Sequence, residues 1–143
     1  MVGSLIWLST RTRPYLSYAQ SRISSMATKA PKRAVVEGLR VLRYLQGTKT
    51  IGLHFRKCIN HDEVIAYADA NFAIERSQSG SVVKLGANTI TWTSSKQPAT
   101  TVSTAESEAQ AVANTGIVVD YVKTLNESLC LPANEIILRC DNT

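Results

Sequence analysis

The stretch SGSVVKLGANTITWTSSKQ, residues 79–97, limits the fold of this 143-residue chain more than any other. Residues 82–85 and 89–93 are rich in β-branched side chains and flank Gly-Ala-Asn, the pattern of two antiparallel strands joined by a tight turn. A long helix is predicted to open soon after, at STAESEAQAVANTGIVVDYVKTLNESL. Ser103 or Thr104 can cap it, and the early glutamates suit its positive end. Upstream, EVIAYADANF alternates weakly and reads as a strand; downstream, Pro132 and Asn134 mark a turn before EIILRC, a buried strand candidate. The order strand, hairpin, helix, strand defines an α/β (α+β) chain with no internal repeat.

The first 57 residues have a different period. Residues 3–27 read as helical, with Pro14 starting a second helix or kinking the first. KAPKRAVVEGLRVLRYLQGTK reads as an amphipathic helix with Pro31 in its first turn, a stripe of Val35, Leu39, Leu42 and Leu45, and Gly47 at its end. Arg33, Arg40 and Arg43 lie off that stripe, where they form either a phosphate-tracking face or a solvated one. TIGLHFRK is a further short strand candidate, and CINHDE a polar link.

Charge follows the same division. Residues 1–57 hold eleven Lys/Arg and one acid, Glu37; residues 58–143 hold five Lys/Arg and ten acids. A basic half beside an acidic half suits a polyanion-facing surface next to a cation site, or two solvated surfaces of opposite sign. Cys58, Cys130 and Cys140 are odd in number and lack metal-type spacing, which argues for a reducing, intracellular setting. His54 and His61 have no ligand-spaced partner. The apolar start MVGSLIWLS lacks a preceding basic residue and is too short for a membrane span, so neither a signal peptide nor a transmembrane segment is expected.

Three acids stand apart. Asp69 falls toward the end of an apolar strand, sharing a face with Ile65 and Tyr67, and Asp141 falls at the matching end of the last strand. Either could equally open a turn. On the helix, with the apolar stripe taken as Ala105, Ala109, Val112, Gly116 and Val119, Glu108 falls about 60° from the stripe and Glu106 about 100° away on the other side. Glu108 is therefore the acid that can lean toward the sheet, and Glu106 a helix-start charge. Carboxylates converging from two strands and a helix repel unless cations lie between them. Hard oxygen ligands suit Mg²⁺ or Mn²⁺, and two such ions about 4 Å apart can cleave a phosphodiester.

VGSLIWLSTRTRPYLSYAQSRIS, RVLRYLQGTKTIGLHF, YADANFA, RSQSGSVVKLG, ITWTSSKQPATTVSTAESEAQAVA and LRCDNT occur in a fixed order. Together they resemble the end of the polymerase region and the ribonuclease H domain of a copia-type retrotransposon Pol polyprotein. The resemblance covers nearly the whole chain, and the block from TWTSSKQ to VSTAESEA is its most specific part. It implies a helical C-terminal part of the reverse transcriptase (connection region) over residues 1–57. Over 62–143 it implies the N-terminal part of a truncated ribonuclease H-like domain, a mixed sheet in β-β-β-α-β order. Asp69 in YADANF, Glu108 in AESEA and Asp141 in CDNT match the family's catalytic, metal-holding acids; Gln97 and Ser79–Gly80 match positions assigned loop and turn roles. The chain departs from the family pattern at Tyr15, Asn71, Phe72 and Ala109.

The implied activity is hydrolysis of the RNA strand of an RNA–DNA hybrid during reverse transcription, with two Mg²⁺ (or Mn²⁺) as cofactors. The implied partners are the hybrid and the rest of the polyprotein, with no membrane. The family's fourth acid would fall beyond Thr143, and the chain alone is expected to be inactive or nearly so. The alternatives are a catalytically inactive nucleic-acid-binding fragment, resting on the basic helix, and a non-functional element remnant.

Overall fold

The computed structural model describes residues 1–57, 63–73, 76–131 and 135–140. The chain forms two compact units, Met1–Leu53 and His54–Thr143.

The first unit is helical. Helix α1 (Val2–Arg11) is followed by a 3-10 turn at Pro14–Leu16, α2 (Ser17–Met26) and α3 (Pro31–Gly47). Proline explains both later starts: its fixed φ and missing N–H suit the first position of a helix, and it occupies that position in the 3-10 turn and in α3. Leu5, Ile23 and Ala34 form the buried core, with Val2, Met26, Val41 and Leu45 packed around them. The buried line of α3 therefore runs through Ala34 and Gly38, one step round from the predicted stripe. Val35, Leu39 and Leu42 are 49, 48 and 43% exposed. Gly38 is covered by the Met1 side chain, which a Cβ there would meet. The small residues of α3 are the buried ones, and the larger aliphatic residues beside them are left outside.

TIGLHFRK is not a strand; residues 51–57 have no regular secondary structure. Arg56 is nevertheless tied to the second unit's hairpin. Its N–H donates to Asn88 Oδ1, and Asn88 Nδ2 donates to its carbonyl, both at 2.8 Å. One side-chain amide thus supplies the pair of hydrogen bonds that a neighbouring strand would have supplied. CINHDE falls mostly outside the described residues, as do Pro132 and Asn134.

The second unit is a four-stranded sheet with one long helix. Its elements are β1 (Glu63–Asn71), β2 (Gln78–Leu85), β3 (Asn88–Lys96), α4 (Thr104–Ser128) and β4 (Glu135–Cys140), in sheet order β3-β2-β1-β4. Strands β1, β2 and β3 are antiparallel neighbours, and β4 runs parallel to β1. A parallel partner needs a crossover, and α4 is that crossover. The chain is thus α+β with a mixed sheet. The hairpin is longer at both ends than its β-branched segments suggested. It turns at Gly86, whose φ of 56° is left-handed backbone that glycine adopts without a Cβ clash. The ladder skips Ile90 between Thr89 and Thr91, opposite Lys84 and Val83, a bulge in β3.

Helix α4 begins as its sequence indicates. Ser103 Oγ accepts from the Glu106 N–H at 3.1 Å, and Glu106 Oε2 accepts from the Val102 N–H at 2.7 Å. It ends with the Leu131 N–H on the Asn126 carbonyl and the Cys130 N–H on the Glu127 carbonyl, both 3.0 Å. This reciprocal closure puts Cys130 at φ 54°, where glycine is usual. Val119 and Val122 of the helix pack on Val64, Ala66 and Val83 of the sheet to form the core.

Among the described residues, Cys130 and Cys140 are free thiols. No helix among them is long and apolar enough to cross a membrane.

Candidate active site

The sheet unit has an apolar end and a polar end. Around Val64, Val83 and Val122 the core is aliphatic. Toward Asn71 and Gln78 the buried residues are Ser77, Ser79, Ser81, Gln97, Thr101 and Ser107. Burying hydroxyls and amides costs free energy unless they find partners, and here they largely bond one another. Ser77 Oγ meets Thr101 Oγ1 at 2.9 Å, Ser81 Oγ meets Thr93 Oγ1 at 2.8 Å, and Ser107 Oγ donates to the Thr104 carbonyl at 2.7 Å.

Gln97 is the centre of that end. It is 1% exposed. Its Nε2 donates to Ser79 Oγ at 2.8 Å and to the Ser107 carbonyl at 2.7 Å, and its N–H donates to the Ser77 carbonyl at 2.8 Å. One side chain thereby ties β2 to the first turn of α4. Assigned only a loop role from the sequence, Gln97 is a structural clamp; a long amide just beyond a strand, close before a helix, was the only signal for it. Its Oε1 is buried without a partner among the described residues.

The clamp brings two of the three expected acids to one end of the sheet. Ser79 stands opposite Ala70 in the β1–β2 register, and Asp69 is the next residue along β1, opposite Gly80. Ser107, whose carbonyl Gln97 holds, is followed directly by Glu108.

Asp69 is exposed. It was expected to follow two at least partly buried residues, which holds for Ile65 but not for Tyr67; the fully buried face of β1 is Val64, Ala66 and Ala68. Ile65 is half-buried and Tyr67 38% exposed, with the Arg139 guanidinium 6.0 Å from the Tyr67 ring centre. Asp69 therefore belongs to the face of β1 that α4 does not cover.

Glu108 is half-buried and Glu106 exposed, the order that the helix geometry predicted, although the stripe itself is different. The buried line runs Ser107, Ala111, Thr115, Val119, Val122 and Asn126, while Ala105 and Ala109 are exposed. Thr115 Oγ1 donates to the Ala111 carbonyl at 2.7 Å, so the hydroxyls of this helix are satisfied within it and pack as small residues. Measured from this line at about 100° per residue, Glu108 is about 35° off-centre and Glu106 about 165°.

Neither Asp69 nor Glu108 has a hydrogen-bond or ion-pair partner among the described residues. Glu106, by contrast, is engaged at the helix start. The third acid, Asp141, lies outside the described residues; Cys140, before it in sequence, is in register with Ala68, before Asp69. No group of three or more His, Cys, Asp or Glu able to hold a metal occurs among the described residues. Arg33, Arg40 and Arg43 all lie exposed on α3, in the helical unit.

The fold stands beside clear relatives. The chain is 34% identical over 99% of its length to the retrovirus-related Pol polyprotein from transposon RE1 of Arabidopsis thaliana. It is 37% identical, again over 99%, to the corresponding polyprotein from transposon RE2 of the same plant. The secreted RxLR effector protein 161 of Plasmopara viticola is 35% identical over 78% of this chain and 80% of that protein. No family model matches, and no solved structure does. The chain belongs to the copia-type, retrovirus-related Pol polyproteins of transposons. It spans about a tenth of the length of the two transposon relatives.

Proposed function

We propose that residues 62–143 are the N-terminal part of a ribonuclease H-like domain and residues 1–57 the helical end of a reverse transcriptase. The parent activity on this reading is hydrolysis of the RNA strand of RNA–DNA hybrids. The observation that carries it is the Gln97 clamp, which draws the Glu108 turn of α4 and the Asp69 end of β1 to the same end of the sheet. Neither carboxylate has an ion-pair partner among the described residues, which leaves both free to take a cation.

The donor set fits Mg²⁺ or Mn²⁺, since it is all oxygen and combines a half-buried with an exposed carboxylate. Asp69, Glu108 and Asp141 would hold the ions, and the ions would supply an activated water and stabilise the leaving oxygen. Asp69, on the open face, is accessible to a polymer that cannot enter a closed cavity. Glu108, held by a capped and clamped helix start, is the more rigid ligand. Recognition of the hybrid would rest on 2′-hydroxyls and groove shape rather than on base sequence.

The test is cleavage of a labelled hybrid by the Pol polyprotein carrying this stretch, in Mg²⁺. Asp69→Asn and Glu108→Gln are each expected to lower the rate at least about 100-fold with folding intact, because loss of a metal ligand removes the group that activates the water. Full cleavage by both variants would reject the reading.

A further inference from the structure

Two helix faces, one in each unit, are apolar and uncovered. On α3, Val35, Leu39 and Leu42 recur at steps of four and three, and all are exposed. On α4, Ile117 and Tyr121 stand one turn apart, 70 and 69% exposed, about 125° round the helix from the line that packs on the sheet. We infer that the α3 face of one copy of this chain docks on the outer α4 face of a second copy. The inference does not rest on the hydrolytic reading, because neither Asp69 nor Glu108 belongs to either face.

Spacing is the first ground. Steps of three and four keep side chains on one side of a helix, the seam along which two helices pack. The helical unit does not need that stripe for its own core, which uses Ala34 of α3 instead. Apolar residues exposed together as a stripe, rather than scattered singly, mark an interaction surface. Ile117, Tyr121 and Thr124 follow the same steps on α4.

Charge is the second ground, and it names the occupant. Lys32 and Arg43 lie within about 75° of the centre of the α3 stripe. Glu37, the one acid of that helix, lies about 165° away and is paired with Arg40 at 2.9 Å. On α4 the signs are reversed: Asp120 and Glu127 lie about 80° and about 100° from the centre of the Ile117–Tyr121 stripe, and Lys123 about 140° away. Two α3 faces would set Lys32 and Arg43 against their own copies, and two α4 faces would set acid against acid. Only the mixed pair brings a basic-flanked stripe to an acid-flanked one. Joining unlike patches leaves one of each free in the pair, so association runs on past the dimer unless the contacts close.

The test is the weight-average mass of the full chain by sedimentation equilibrium in reducing buffer, from about 5 to about 200 µM. One helix-on-helix contact is smaller than the about 1,600 Å² of a standard interface. The mass is therefore expected near the single chain's 15.6 kDa at the low end and well above it at the high end. Leu39→Gln with Leu42→Gln removes the α3 stripe, and Ile117→Gln with Tyr121→Gln the α4 stripe, each with a good helix former and no change of charge. Either double variant alone should stay at the single-chain mass. An equimolar mixture of the two should associate again and stop at twice that mass, because each supplies the face the other lacks. Raising salt from about 0.05 to about 0.5 M should weaken wild-type association, since the flanking charges are exposed. Circular dichroism melts verify folding, and Leu39→Gln and Ile117→Gln, single changes at exposed sites, carry the mixing test if a double variant does not fold. A wild type at 15.6 kDa throughout would overturn the inference and leave both faces to another partner. So would self-association of either variant alone, a mixture that stays at the single-chain mass, or association that salt does not weaken. Loss of hybrid cleavage with self-association retained would reject only the hydrolytic reading.

Discussion

The two units bury their cores by different means. The helical unit closes on three well-buried residues, Leu5, Ile23 and Ala34, and leaves Val35, Val36, Leu39 and Leu42 of α3 between 43 and 51% exposed. The sheet unit closes on Val64, Ala66, Val83, Val119 and Val122 and adds a buried polar network at one end. The difference bears on function. Apolar packing forms the core of the first unit, whereas the second adds hydrogen bonds from Gln97 that tie the first turn of α4 to β2. Directional contacts are found where geometry has to be held.

The largest effects should separate the units. Val83 is fully buried, so Val83→Asp would place an unpaired charge in the sheet core, costing more than about 4 kcal/mol and unfolding that unit. Ile23→Ala in the helical core should cost about 2–5 kcal/mol there. Each unit contains one tryptophan, Trp7 and Trp92, so Trp7→Phe and Trp92→Phe backgrounds report on them separately in urea. If both tryptophans lost their native signal together in either variant, the contrast between the units would fail.

Next in size is the clamp. Gln97→Ala removes two short side-chain hydrogen bonds and leaves the Ser107 carbonyl without the Nε2 donor, which should cost about 1–3 kcal/mol. Hydrogen exchange should then rise in the first turns of α4 more than at the Val119–Val122 end. Uniform exchange along α4 would show that the polar end is not held by Gln97. Ser103→Ala, at the helix cap, should cost about 1 kcal/mol by denaturant melt. The smallest effect belongs to the helical unit's ion pair: Arg40 and Glu37 side chains are 68 and 32% exposed, so Glu37→Gln should change stability by less than about 0.5 kcal/mol.

Much of the element order was legible in the sequence. Pro14 and Pro31 marked helix starts, Gly86 the hairpin turn and Ser103 the cap, and the mixed sheet was implied by the resemblance. The buried stripes of α3 and α4 were misread for one shared reason. Counting apolar residue types favours Val35, Leu39 and Leu42 on one helix and Ala105, Ala109 and Val112 on the other. Close packing instead selected Ala34 and Gly38, and Ser107 and Thr115, which are small or satisfy their own hydroxyls. The preference for Glu108 over Glu106 survived because both stripes place Glu108 on the sheet side. The face that Asp69 shares with Ile65 and Tyr67 was expected to be at least partly buried because β1 alternates only weakly, and its two faces differ mainly in the size of alanine against isoleucine and tyrosine. The clamp was hidden because Gln97 acts through a serine hydroxyl and a backbone carbonyl, and the latter has no residue-type signature.

The relatives add a further contrast. A similar stretch lies inside two polyproteins about ten times its length and also makes up most of the Plasmopara viticola protein.

The most direct test of the central claim, that Asp69 and Glu108 serve one cation site, is calorimetric titration of the full chain with Mn²⁺. Wild type, Asp69→Asn, Glu108→Gln and the double variant are to be compared under one buffer. The account predicts that each single variant loses nearly as much affinity as the double variant, because ligands of a shared ion act as a unit. Unchanged binding in either single variant, or losses that simply add, would contradict it.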